Sequence, residues 1–261
     1  MPNAVVGIVT DNVDPDKLGR VKVKFPTLVE EPLSYWLRVS APNGSKDRGF
    51  YSLPEKDDEV LVMFMQGSQD VGLIMGQFWN GKDKPPVEAF DSSKAGKNKA
   101  GSGLSTAEFT PGTANHDKND RRLWKSRSGH LFMFDDSAGK ETVSLWDKTR
   151  TMSLVFDVSK KEIQLSQTDG DIHIRASKDI YIDAGKNIKF KAGVDILGES
   201  VSNTKLKVGT NFEMTAGTNA TMKAGTAFAI SGGATFEAKS PASTLKGDAT
   251  VTIKGGIVNI N

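Results

Sequence analysis

The chain contains no cysteine, so neither disulfides nor thiol chemistry can stabilise or operate it. Its three histidines, His116, His130 and His173, lie too far apart in sequence for metal-ligand spacing. No apolar run approaches the length of a membrane span. The opening MPNAVVGIVTDN lacks the basic start and apolar core of a signal peptide. The expectation is a soluble protein made in the cytosol, with delivery by other means if it works outside the cell. An excess of one charge is missing too. Lys and Arg number 34 against 32 Asp and Glu, a net +2 that makes no electrostatic case for nucleic acid or an anionic membrane. Hydrophobic residues are 37% of the chain, low for a compact α/β enzyme.

Glycine is abundant, at 26 residues, and much of it recurs at regular spacing in the second half. Written in eights from Asp171, the chain reads DIHIRASK, DIYIDAGK, NIKFKAGV, DILGESVS, NTKLKVGT, NFEMTAGT, NATMKAGT, AFAISGGA, TFEAKSPA. Positions two and four are mostly apolar: Ile172 and Ile174, Ile180 and Ile182, Ile188 and Phe190, Phe212 and Met214. They share one side of a strand because side chains alternate, and they are the expected interior. Position three carries His173, Tyr181, Lys189, Lys205, Glu213 and Lys223 and is expected to face water. Position seven is usually Gly: Gly185, Gly193, Gly209, Gly217, Gly225 and Gly233. Glycine there is expected to make a corner where a Cβ would clash or φ must be positive. Eight residues then give one strand and one corner, and stacked octads form a β-helix. The spacing is nine upstream, at Leu154/Phe156, Ile163/Leu165 and Ile172/Ile174. It blurs again over Ser243–Asn261.

A triangular rod needs three octads per layer. One chain could supply all three, or three chains could wind together and share a longer interior without lateral edges. In the second arrangement each octad advances about 4.8 Å, and the rod is on the order of 60 Å long.

The first 80 residues differ. Five short β-rich runs, Ala4–Thr10, Arg20–Phe25, Ser34–Ala41, Glu59–Met65 and Val71–Phe78, are bounded by turn residues. Arg20–Phe25 alternates strictly, with Val21, Val23 and Phe25 on one side. Five strands in this length fit a small closed barrel of the OB type. Residues 81–122, rich in Gly, Lys, Ser, Asn and Pro, are expected to be a linker. Residues 123–162 are expected to be a hairpin neck, with Leu131–Phe134 and Thr142–Trp146 joined by a turn at 135–139. Residues 163–261 are the rod. The fold class is thus all-β, an N-terminal OB barrel followed by a triangular octad β-helix.

Three blocks carry a resemblance: Asp14-Pro15 with Gly19–Pro26 (GRVKVKFP); Tyr35–Val39 with Pro42, Gly49-Phe50, Pro54 and Asp58–Val62; and Lys125–His130 (KSRSGH) with Phe134–Asp136. In this order, and followed by octads, they resemble the central spike proteins of contractile injection machines. That group comprises phage baseplate assembly protein V, the T4 phage tail spike and the C-terminal half of type VI secretion VgrG proteins. The resemblance implies a non-enzymatic homotrimer assembled in the cytoplasm as part of a phage tail or tail-like particle. Its OB end would dock on a separate hub protein, since the sequence starts at the OB fold. Its β-helix would pierce the target envelope, touching the membrane transiently, and effector cargo is among the partners such spikes carry. The 81–122 stretch is too short and polar for the lysozyme domain that the T4 spike holds there. The end lacks the His-x-His that binds iron in some phage spikes. A separate PAAR-type tip on Ile257, Val258, Asn259, Ile260 and Asn261 is therefore implied, with no cofactor and no metal.

Two other classes compete. An OB fold suggests single-stranded nucleic acid through Trp36, Phe50, Tyr51, Phe64 and Phe78. Core packing is expected to explain most of these. A single-chain glycan-active β-helix would need clustered carboxylates, whereas Asp183, Glu213 and Glu237 are spread singly. His130 is read as part of a structural turn, His173 as solvated and His116 as exposed. Asp135-Asp136 is read as a hairpin turn whose carboxylates accept from backbone N–H groups rather than as a metal or acid–base pair. Lys94–Lys99 is read as solvated linker.

Overall fold

The computed structural model describes residues 4–28, 33–65, 71–90 and 119–259. Most of the expected linker, including Lys94–Lys99 and His116, lies outside these, as do Ile260 and Asn261. The chain divides into two units, Met1–Leu197 and Gly198–Asn261.

The first unit opens with a closed five-stranded barrel, as the five apolar runs predict. Its strands are β1 (Ala4–Asp11), β2 (Arg20–Lys24), β3 (Leu37–Val39), β6 (Glu59–Phe64) and β7 (Gly72–Phe78), in the order β1-β2-β3-β7-β6. A small hairpin, β4 (Gly44–Ser45) and β5 (Arg48–Gly49), interrupts the sequence between β3 and β6. Alternate residues turn inward and build the core: Val5, Val9, Val21, Val23, Phe25, Leu37, Val60, Val62, Phe64 and Ile74. Burial of this kind contributes about 25 cal/mol per Å² of apolar surface. The interior is tight enough to need glycine at Gly72, where a Cβ would stand 3.1 Å from Leu37 and 3.2 Å from Val62. One expectation fails here. Of the five aromatics, most of which were expected in the core, only Phe64 is buried; Phe50, Tyr51 and Phe78 are exposed. Phe50 lies against Trp124, with ring centroids 5.5 Å apart, and Trp36 lies beneath the Lys22 ammonium.

A second sheet follows, and it corrects the expected hairpin neck. It is a five-stranded antiparallel meander: β8 (Arg121–Lys125), β9 (Leu131–Asp135), β10 (Thr142–Trp146), β11 (Met152–Asp157) and β12 (Glu162–Gln167). It therefore begins inside the expected linker and takes in 163–167 of the expected rod. The nine-residue spacing at its end is a strand plus a tight turn. Each connection holds a residue at positive φ: Gly129, Gly139, Arg150 and Lys161. Asp135, Asp147 and Asp157 stand at the ends of β9, β10 and β11 and accept from backbone N–H groups of the turns that follow. The double-Asp turn is thus a cap, with Asp136 paired to Arg122. The SGH segment is likewise a turn. The His130 amide donates to Ser126 Oγ at 3.0 Å, and the Ser126 amide donates to the His130 carbonyl at 2.9 Å.

From Asp171 to Asn259 the described backbone has no assigned strand or helix and is marked by regularly spaced bends. They fall at 177–178, 185–186, 193–194, 201–202, 209–210, 217–218, 225–226, 233–234 and 241–242. These are positions seven and eight of every octad, where corners were expected. Gly185, Gly193, Gly209, Gly217, Gly225 and Gly233 all sit at them. The expected reason for glycine does not hold within the chain. None of the six has a positive φ, and a Cβ on any of them would meet nothing within 4 Å. The C-terminal phase is also not blurred. The next bend comes seven residues on, at 248–249, and the one after it eight further, at 256–257. One residue is missing once, and Val251 and Ile253 then fall at positions two and four.

Candidate assembly surface

The meander carries large apolar side chains on both of its faces. The register aligns two complete rungs on its outer face. One is Arg122–Phe134–Val143–Phe156–Ile163, and the other is Trp124–Phe132–Leu145–Leu154–Leu165. Nine of these ten side chains are large and apolar. Six are open to solvent, from 41% exposed at Phe134 and Phe156 to 71% at Ile163. A folded chain on its own rarely leaves such a patch uncovered.

The opposite face is closed by the chain itself and is partly polar. Arg121, Asp135, Thr142, Ser144, Ser153 and Asp157 are buried there beside Leu131, Met133, Trp146 and Val155. A single 3-10 turn, Val87–Ala89, lies against β8. It carries Glu88, a buried acid whose carboxylate accepts from Lys125 Nζ at 2.8 and 3.0 Å and from Arg150 Nη2 at 3.0 Å. Its backbone carbonyl accepts from Arg121 Nη1, and Arg121 Nε pairs with Asp135 at 2.9 Å. Burial alone would raise the Glu88 pKa, but the Lys125 hydrogen bond and the two nearby cations hold it below its usual value. Sequence reasoning missed Glu88. The available signal was the set of cations on β8 and in the β10–β11 turn that require a buried counter-charge.

In the barrel, the DPDKLGR segment is organised by one carboxylate. Asp14 accepts from the amides of Asp16, Leu18 and Arg20 and from both Nε and Nη2 of Arg20. The Arg20 guanidinium, above all, holds its carboxyl far below the usual carboxylate range. This loop delivers the chain into β2 in register. A cleft of about 920 Å³ opens between the β4–β5 hairpin and β7, bordered by Pro42, Tyr51, Leu53 and Met75. Among the described residues, no group of three His, Asp or Glu side chains is arranged to hold a metal ion.

The octads continue the outer face of the meander in sequence. Apolar i, i+2 pairs run through Phe132/Phe134, Val143/Leu145, Leu154/Phe156, Ile163/Leu165, Ile172/Ile174, Ile180/Ile182 and Ile188/Phe190. Spacings shorten from eleven to nine to eight. Every expected interior residue, including Phe212 and Met214, is exposed in the single chain. Among the described residues, 171–259 contain no strand ladder and no backbone–backbone hydrogen bond. Of the expected tip residues, Ile257, Val258 and Asn259 are exposed. His173 is exposed as well.

A closed five-stranded barrel in the order β1-β2-β3-β7-β6 is consistent with an OB domain. Comparison with known families agrees: residues 5–79 match the type VI secretion system and phage-baseplate injector OB domain. The chain is similar to VgrG spike proteins. It is 32% identical over 111 residues to the Pseudomonas aeruginosa type VI spike protein VgrG1c, covering 40% of this chain and 15% of that protein. It is 34% identical over 88 residues to VgrG1a of the same organism, covering 32% of this chain and 14% of that one. Over 86 residues it is 34% identical to the Vibrio cholerae actin cross-linking toxin VgrG1, covering 31% of this chain and 8% of the toxin. The matched stretches thus span a small part of these relatives. These matches bear out the spike and baseplate resemblance read from the sequence. No described helix is long and apolar enough to cross a membrane.

Proposed function

We propose that this chain is a homotrimeric spike of a contractile injection machine. Its OB end docks on a hub protein and its octads wind with two other copies into a β-helical rod bearing a PAAR-type tip. The work is mechanical: contraction of a sheath drives the rod, and its stiffness carries it through the target envelope. Effector cargo, assembly in the cytoplasm and action at the envelope belong to the same reading.

One observation carries it. Apolar pairs extend from Phe132 through the octads, yet most of their side chains are open to solvent and the octad backbone makes no ladder within its own chain. Such a segment is stable only when other strands supply both the hydrogen bonds and the covering surface. The lack of a ladder within the chain favours three interwound chains over a single-chain coil. It also supplies what the glycines lack here, since a neighbouring chain can occupy the space at each bend.

Light scattering of the purified chain tests this directly. The expected mass is three times 28.1 kDa. A monomeric mass would overturn the reading, and protected octad amides in that monomer would point to a single-chain coil.

A further inference from the structure

Resting on that trimeric reading, we infer that the meander of residues 121–167 is where three copies first join, and that it sets the register in which the octads then wind. The meander is complete within one chain. Its ladders are local, its turns are capped, and its inner face is closed and pinned by Glu88. It can therefore present its apolar face before any partner arrives. The octads cannot, because their hydrogen bonds and core both await other chains.

Register gives the second argument. Octads such as NIKFKAGV, NFEMTAGT and NATMKAGT differ little in pattern. A slip by one whole repeat keeps apolar residues facing apolar residues, so the array specifies its alignment weakly. The meander is not repetitive. Its two rungs end at distinct places: Phe50 packs on Trp124 at the β8 edge, and Arg122 is held by Asp136. At the β12 edge, Ile163 and Leu165 are open and lead directly into Ile172 and Ile174. A mismatch by one strand would leave a row of large side chains uncovered.

Continuity agrees with the role. Six of the nine apolar side chains are open to solvent and adjacent through the ladder, a contiguous patch of the kind that marks an interaction face. The occupant is a further copy of the same face. It holds no charge except Arg122 at its rim, and its apolar pairs continue into the segment that must meet the same copies.

The test uses the full chain with Leu145→Glu on the meander face and Phe212→Asp in the octads. Leu145→Met serves as the conservative control. Mass is read by light scattering and segment protection by hydrogen exchange. We expect Leu145→Glu to fall from three chains to one, with the octads unprotected and the barrel protected as in the parent. Phe212→Asp keeps the mass of three and the protected meander but loses octad protection around residue 212. Leu145→Met behaves as the parent. On refolding from denaturant, pulse labelling shows meander protection before octad protection. A trimeric Leu145→Glu with protected octads overturns the inference, as does octad protection that precedes the meander. If the parent chain is itself monomeric, the spike reading fails instead.

Discussion

The Glu88 carboxylate lies 2.8 Å from the Lys125 ammonium, joining the turn before β8 to the meander's closed face. Glu88 is the shared counter-charge of Lys125 and Arg150. Its replacement by Ala leaves two cations without their partner, one of them mostly buried. The expected loss is about 2–3 kcal/mol, below that of a fully buried pair because Lys125 keeps some solvent. Thermal unfolding of the full chain measures it. Because the Glu88 pKa is lowered on folding, its contribution is fully present above the ordinary value of 4.5 and is lost as pH falls through the lowered value. The E88A protein should therefore lose less stability than the parent between neutral and acidic pH.

Asp14 and Arg20 form a comparable pair in the barrel, joined through two side-chain bonds. Asp14→Ala and Arg20→Ala should each destabilise the barrel. The double variant should cost less than their sum, since each single change removes the same contact. The folded Asp14 pKa lies below its unfolded value, so this stabilisation is present above about pH 4 and fades under acid conditions. A double-mutant cycle by urea unfolding, with additive costs, would contradict the assignment.

Ile188→Asp places a carboxylate at an interior octad position. In the proposed rod three such charges converge, and burial without partners is costly. The expected result is loss of any SDS-resistant assembly, read on an unboiled gel. Persistence of a full-length resistant rod would remove Ile188 from the interior.

Gly217 separates two explanations for the octad glycines. Its own chain offers no obstacle to a side chain and does not need a positive φ. Gly217→Val should leave barrel stability unchanged while weakening the assembly, seen as a lower temperature for loss of the trimer. A shift in barrel unfolding alone would mean that the glycine serves its own chain.

The barrel was legible because its strands alternate in the ordinary sense, with Val21, Val23 and Phe25 facing inward and Arg20, Lys22 and Lys24 outward. The meander was only half legible. Large apolar residues lie on both of its faces, and Asp135, Ser144 and Ser153 are buried, so no simple alternation marked its extent and Ile163 and Leu165 read as the start of the octads. Only the start of β8, Arg121 and Arg122, reads as linker; there Asp135 and Asp136 supply the partners of the two arginines. The bends recur at positions seven and eight, including 177–178, 201–202 and 241–242, which carry no glycine. The single chain gives neither a steric nor a φ reason for glycine at the others.

The missing residue between the bends at 241–242 and 248–249 has a geometric consequence for the proposed rod. Counted back from the next bend, Leu245 still occupies position four, and Val251 and Ile253 return to the apolar phase. The position lost is the one just after the corner, so the inward side chains need not turn outward. Each of three sides would be shorter by one strand residue, about 3.3 Å. The cross-section would shrink at that level without a break in the interior: a taper, written into the chain as a single omission.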